Sequence, residues 1–213
     1  MEEWIIVAIA FVAGLVIGIG ANVLTGILIK RRSDKAYSVW YINYRYSPIL
    51  WAVCFAVILA VQAFLKNDIL WLIRLSVILF ACACIAATDA CIRKVPNSML
   101  AFMLLNTLVF TLFFSQSFDW IQTIVAVAGA IIVFQIPSLL GLKVGWGDVK
   151  FAVVVAFELS VFGFLQTMVI VGIGFLVAAI YLKATHKGNL KTPIPMGPFI
   201  ALGTVFTAVC PLI

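Results

Sequence analysis

The sequence predicts an all-α, polytopic integral membrane protein of about eight transmembrane helices, and three observations carry that reading. Hydrophobic residues make up 65% of the 213-residue chain, where soluble domains carry about 45–50%. Charged residues make up only 10%, against about 25% in soluble domains. Mean hydropathy is +1.23, and the remaining charges fall in short loops between long apolar runs.

A spanning helix needs about 20 apolar residues. By that rule the runs near 4–29, 49–65, 69–88, 98–116, 120–140, 151–164, 165–182 and 196–212 each form a helix. The first run follows Glu2-Glu3 rather than a basic segment. It also far exceeds the roughly 7–15 apolar residues of a signal peptide, so it is expected to remain as a helix. Connections are short, no low-complexity linker or clear internal repeat interrupts them, and residues 1–213 read as one domain. Between Lys150 and Lys183 the chain must cross twice, leaving the first crossing about 14 residues, or roughly 21 Å of a hydrocarbon core of about 30 Å. The expected solution is a sunken, water-accessible loop at Gly145–Lys150, since irregular backbone at that depth must line a wet cavity or be shielded by protein. Glu158 on that short helix faces either a protein-lined interior or the outer surface.

The charges sort by side. Loops on one side hold Lys30, Arg31, Arg32, Lys35, Arg45, Arg93, Lys94, Lys143, Lys150, Lys183, Lys187 and Lys191. Loops on the other hold Glu2, Glu3, Asp68 and Asp119, with Lys66 as the one unambiguous cation. The positive-inside rule makes the basic side cytoplasmic and puts both termini outside. Trp4, Trp51, Trp71 and Trp120 fall near helix ends, as an aromatic belt requires. The net charge of +6 would suggest nucleic acid in a soluble protein, but here it is accounted for by topology, and no nucleic-acid partner is expected.

Cys54, Cys82, Cys84, Cys91 and Cys210 show no Cys-x-x-Cys spacing. Four lie in apolar runs, where cysteine behaves as a small hydrophobe, so neither zinc nor a disulfide is indicated. His186, the only histidine, lies among Lys183, Lys187 and Lys191. It reads as solvated loop, which leaves no Ser-His-Asp or multi-histidine metal site.

Two aspartates stand out. Asp89 ends an apolar run in Thr88-Asp89-Ala90-Cys91-Ile92-Arg93-Lys94-Val95-Pro96-Asn97, and Asp148 precedes another in Gly145-Trp146-Gly147-Asp148-Val149-Lys150. A carboxylate at a bilayer edge is costly and marks a functional site by default. Both fall on the basic side. Two carboxylates a few ångströms apart tend to share one proton, so one serves as base toward water and the other as acid toward a carbonyl oxygen. That is aspartic-protease chemistry, without metal or covalent intermediate. Gly145 and Gly147 allow backbone conformations and close approaches that other residues obstruct. Pro96-Asn97 reads as a helix start with Asn97 as N-cap, and Lys150 as a snorkelling anchor.

These two stretches resemble the aspartate motifs of the type IV prepilin peptidases, which are GxGD-type intramembrane aspartic proteases. Gly14-Leu15-Val16-Ile17-Gly18 with Asn22-Val23 is similar to that family's first helix, and Ile194 to Gly203 to the segment opening its last. The resemblance runs over nearly the whole chain in the family's order. It implies removal of the basic leader from prepilins or pseudopilins at the cytoplasmic face, after a glycine that precedes the substrate's hydrophobic helix. Asp89 and Asp148 would be the catalytic pair, with Gly145, Gly147, Lys150, Pro96 and Asn97 as motif support. The resemblance also raises N-methylation of the new terminus with S-adenosylmethionine, and a zinc-binding tetracysteine segment after the first helix. Here the corresponding loop Arg31–Ser47 has no cysteine and instead holds Tyr37, Trp40, Tyr41, Tyr44 and Tyr46. Zinc is therefore not expected, and methylation stays open. The aromatic, basic loop is either a surface anchor or a substrate hold.

The alternative from another class is a small proton- or ion-coupled transporter, which would place its acidic groups near the midplane in broken helices. The aspartates instead read as lying at helix ends. A pseudo-enzyme scaffold is disfavoured by the intact pair. Whether the substrate serves a pilus, a secretion system or DNA uptake is not written in the sequence.

Overall fold

The computed structural model describes residues 2–32, 45–66, 68–114, 119–139, 145–185 and 195–211. All regular structure among them is α-helical, in seven elements: α1 (Glu2–Arg32), α2 (Ser47–Lys66), α3 (Ile69–Ile92), α4 (Asn97–Phe113), α5 (Trp120–Leu139), α6 (Trp146–Ala184) and α7 (Gly197–Val209). By length and composition, Glu3–Arg32, Ser47–Lys66, Ile69–Ile92 and Trp146–Ala184 can cross a membrane, while Asn97–Phe113, Trp120–Ile136 and Gly197–Val209 are shorter apolar helices. The chain divides into two compact units, Met1–Ser115 and Gln116–Ile213.

In the first unit α1 and α2 meet through small residues. A Cβ on Gly14 would lie 2.5 Å from the Ala56 Cα, and one on Gly18 would lie 2.6 Å from the Ala52 Cα. Four-residue spacing of small residues on both helices lets the backbones touch, which is how apolar helices associate without a hydrophobic drive between them. Buried Asn22 Nδ2 donates to Ser47 Oγ at 2.7 Å. Trp4 packs on Phe64 with ring centroids 5.9 Å apart. The end of each helix therefore lies beside the start of the other, and the pair is antiparallel.

Helix α3 starts where Asp68 caps it, its carboxylate accepting from the Leu70 and Trp71 amides at 2.9 and 3.2 Å. At that end Lys66 Nζ sits 3.9 Å from the Trp71 ring centroid, and Trp71 Nε1 donates to buried Gln62 at 3.4 Å. At the far end Arg32 Nη1 donates to the Val95 carbonyl at 3.3 Å. The expected grouping of Arg32 with Arg93 and Lys94 thus holds within this unit. The acidic end carries one more cation than the sequence reading allowed. Arg74 lies half-buried inside α3, about 9 Å along the helix from its cap. Helix α4 packs on α3 with Phe80 against Phe102.

In the second unit Asp119 serves α5 as Asp68 serves α3, accepting from the Ile121 and Gln122 amides at 3.0 and 3.1 Å. Gly203 of α7 lies against α6, where an added Cβ would come 2.9 Å from the Thr167 carbonyl oxygen. Thr167 Oγ1 donates to Thr207 Oγ1 at 3.1 Å, Gln166 Nε2 to the Cys210 carbonyl at 2.8 Å, and Phe175 stacks on Phe199 at 4.7 Å. With 166 beside 210 and 175 beside 199, α7 runs antiparallel to the later part of α6.

Helix α6 is not continuous. At 39 residues it would reach about 58 Å, twice the hydrocarbon thickness, and it breaks at Ser160, whose φ of 56° and ψ of −166° are non-helical. That region is essentially reserved for glycine and costs another residue about 1–3 kcal/mol. A Cβ on Gly163 would lie only 2.8 Å from the Leu159 Cβ, whereas helical residues four apart keep about 5–6 Å, so the bend is sharp. The sequence placed this junction at 164–165. The apolar run has no proline to mark it, and the turn is set by how Gly163 packs between Leu159 and Thr207. Glu158, two residues earlier, is buried.

Candidate active site

Asp89 lies inside α3 rather than at its end. The expected helix stopped at residue 88, but hydrogen bonding continues to Ile92 and stops when Arg93 turns left-handed (φ 53°, ψ 41°), its N–H donating to the Asp89 carbonyl at 2.8 Å. Glycine or asparagine usually takes such a position, and an L-residue with a longer side chain pays about 1–2 kcal/mol. Pro96 then disfavours helical backbone at Val95. The side chain of Asp89 is only 4% exposed and follows fully buried Thr88, whose hydroxyl donates to the Cys84 carbonyl at 2.6 Å. Behind them Cys84 Sγ donates to the Ala21 carbonyl of α1 at 3.7 Å. Asn97 is not the N-cap of α4. Pro96 takes that position without a side-chain cap bond, and Asn97 is the first helical residue. The stop of the Asp89 helix therefore belongs to Arg93 and to Arg32, which fastens Val95.

Asp148 also differs from expectation. Residues 145–150 are not a loop: Gly145 is the N-cap of α6, and Trp146, Gly147, Asp148 and Lys150 lie in its opening turns. The Asp148 and Val149 amides donate to the Gly145 carbonyl at 3.0 and 3.3 Å. The half-buried carboxylate bends back over the cap, so that a Cβ on Gly145 would lie 2.9 Å from Oδ2. Such a fold-back at the third helical position is the posture of a capping box. Glycine at 145 is there for clearance: its φ of −70° suits any residue, but only a residue without a side chain leaves the carboxylate its place. Trp146 and Lys150 are exposed. The shortness of this segment survives the correction, because the helix starts earlier and also breaks earlier, so that residues 146–159 span about 21 Å.

His186, Lys35, Lys143, Lys187, Lys191, Tyr37, Trp40, Tyr41, Tyr44 and Ile194 lie outside the described residues. Tyr46 is exposed. None of the five cysteines is in a disulfide, and among the described residues no three His, Cys, Asp or Glu side chains gather as metal ligands would.

Each motif thus places one carboxylate in a terminal turn of an apolar helix, one buried within the last turn of α3 and one folded over a glycine in the first turn of α6. The model of the type IV leader peptidase family matches residues 75–183, just over half of the chain, including both aspartates. The chain belongs to the type IV leader peptidase family. No curated protein and no solved structure matches it. The protein is accordingly a peptidase, a hydrolase with helices long and apolar enough to cross a membrane. In this leader peptidase the matched segment begins within α3 and closes with α6, so the end of α3 and the start of α6 lie well inside it.

Two features of the site had no clear sequence signal. A left-handed arginine has none, since glycine is the residue that marks such turns. The clearance role of Gly145 was hidden in a motif that reads equally well as flexible loop.

Proposed function

We propose that this leader peptidase removes the leader from type IV prepilins or pseudopilins at the cytoplasmic membrane face, with Asp89 and Asp148 as the pair that activates water. The observation that carries the reading is the setting of Asp148: a carboxylate in the opening turn of a short apolar helix, with its space kept clear by Gly145, inside a segment matched by the family model. The chemistry requires the two carboxylates to work together.

One carboxylate takes a proton from water as the oxygen attacks the scissile carbonyl carbon. The other, protonated, gives its proton to the carbonyl oxygen. Collapse of the gem-diol intermediate breaks the C–N bond: the proton held by the first carboxylate passes to the departing amine, and the second carboxylate recovers its proton from a gem-diol hydroxyl as the C=O bond re-forms. The cycle needs no metal or organic cofactor. Nothing in the described geometry assigns a residue to S-adenosylmethionine, and methylation of the new terminus remains a separate activity to be read in the product.

The topology proposed is eight crossings, counting the two arms of α6 separately, in a cytoplasmic membrane. The basic ends face the cytoplasm and both termini face outward, as the positive-inside rule directs. An arm of about 21 Å is shorter than the hydrocarbon core, which supports a water-accessible position of Asp148 below the membrane surface.

The test is a cleavage assay on purified protein in bilayers with a prepilin-like substrate, products weighed by mass spectrometry, with and without Asp148→Asn. Loss of the leader only with the intact aspartate supports the proposal, and added methyl mass with S-adenosylmethionine would reveal the second activity. A folded protein that cleaves none of several such substrates would favour a transporter or scaffold.

A further inference from the structure

The break in α6 is held in place as well as strained. Ser160 Oγ lies 3.3 Å from Thr123 Oγ1 on α5. Thr123 Oγ1 also lies 3.0 Å from the Asp119 carbonyl, to which it donates. A threonine hydroxyl has one proton, so Ser160 must be the donor of the pair. The chain of bonds runs from the Ser160 hydroxyl to the Thr123 hydroxyl to the first turn of α5. On its other side the turn is wedged by Gly163, where a Cβ would meet Leu159 at 2.8 Å and Thr207 of α7 at 3.4 Å.

If a sharp turn were all that was needed, glycine would make it without strain. Serine adds one thing glycine lacks, the hydroxyl that reaches Thr123. Residues 146–159 form a single helical arm that carries Asp148 in its first turn and ends at Ser160. A helix keeps its length, with 1.5 Å of rise per residue, so holding the far end sets how far from it Asp148 can lie.

We infer that the Ser160–Thr123 hydroxyl pair is a positioning device for Asp148, holding the far end of its helical arm in a strained but fixed turn. Ser160 and Thr123 are positioning residues, because they act through the arm. The inference rests on the proposed role of Asp148.

The test compares Ser160→Gly, Thr123→Val and Thr123→Ser in bilayers, by steady-state cleavage of a prepilin-like peptide and by amide hydrogen exchange over residues 146–149. Ser160→Gly and Thr123→Val should each lower kcat about tenfold with KM unchanged, in keeping with the cost of displacing a catalytic group by a fraction of an ångström. Thr123→Ser keeps the acceptor and should restore the wild-type rate. Exchange over 146–149 should quicken in the two damaging variants only. Wild-type kcat and wild-type exchange in folded Ser160→Gly and Thr123→Val would overturn the inference, and if Ser160→Gly does not fold, Thr123→Val decides alone. Should Asp148→Asn still cleave, the proposed function fails. Exchange then decides the inference by itself: quickened exchange upholds it and unchanged exchange overturns it.

Discussion

Asp89 lies well inside its helix, the last turn of α3 continuing to Ile92, whereas Asp148 is only the third helical residue of α6, folded back over a bare glycine cap. The first carboxylate is fixed by enclosure. It is almost fully buried beside Thr88, and the chain beyond it is stopped by a left-handed arginine and fastened through Arg32 and Val95. The second is half-buried and owes its place to clearance above Gly145. One site resists displacement because neighbours fill the space around it, the other because a neighbour leaves space empty. Substitutions near the two should therefore fail differently.

The largest expected effects come from the carboxylates. Asp89→Asn and Asp148→Asn should each reduce cleavage about 1,000-fold or more, since each removes one half of the proton relay. Circular dichroism and gel filtration would check that both variants remain folded. A folded variant of either kind that turns over at the wild-type rate would break the pairing.

Next comes Gly145→Ala. The atom displaced by the new methyl is the tip of a flexible side chain, so the melting temperature should barely move. Because that tip is the Asp148 carboxylate, kcat should fall roughly 10- to 100-fold, the cost of a misplacement near 1 Å. Thermal melting alongside steady-state kinetics separates the two. A large loss of stability with unchanged kcat would mean that clearance is not what holds Asp148.

The smallest effect is on the Asp89 side. Arg93→Gly relieves the left-handed backbone and should stabilise the protein by about 1 kcal/mol, read as a raised unfolding midpoint. Destabilisation would mean that the arginine side chain contributes more to the end of α3 than its backbone costs.

The contrast between the two aspartates was half legible in the sequence. Both motifs, their apolar settings and the all-helical membrane class follow from composition and run length. The local geometry does not. Gly147 argues against helix at 146–150 by about 1 kcal/mol of propensity, yet the Gly145 cap and the packing of buried Val149 and Phe151 outweigh it. The helix through Asp89 runs on because nothing between Ala90 and Ile92 opposes it, and the residue that stops it is not one that usually does. The break at Ser160 falls inside an apolar run with no proline. Asp68 and Asp119 read only as charges of one side, although an aspartate just before an apolar run is also an N-cap signal. Enclosure, clearance and strain are relations between residues distant in sequence, and periodicity does not report them.

The contact between Gly14 and Ala56 has a consequence in biosynthesis. Its neighbour is backbone, so an added methyl cannot be absorbed by turning a side chain aside. Helices α1 and α2 leave the ribosome before the family-matched stretch, which opens at residue 75, and N-terminal parts fold first. Gly14→Ala should accordingly send more newly made chains to quality-control proteases and lower the steady-state amount of enzyme. Quantitative immunoblotting, set beside turnover per folded molecule, would show the first falling and the second constant. On that outcome a helix pair outside the matched segment would govern how many peptidase molecules a membrane accumulates, and leave the speed of each one alone.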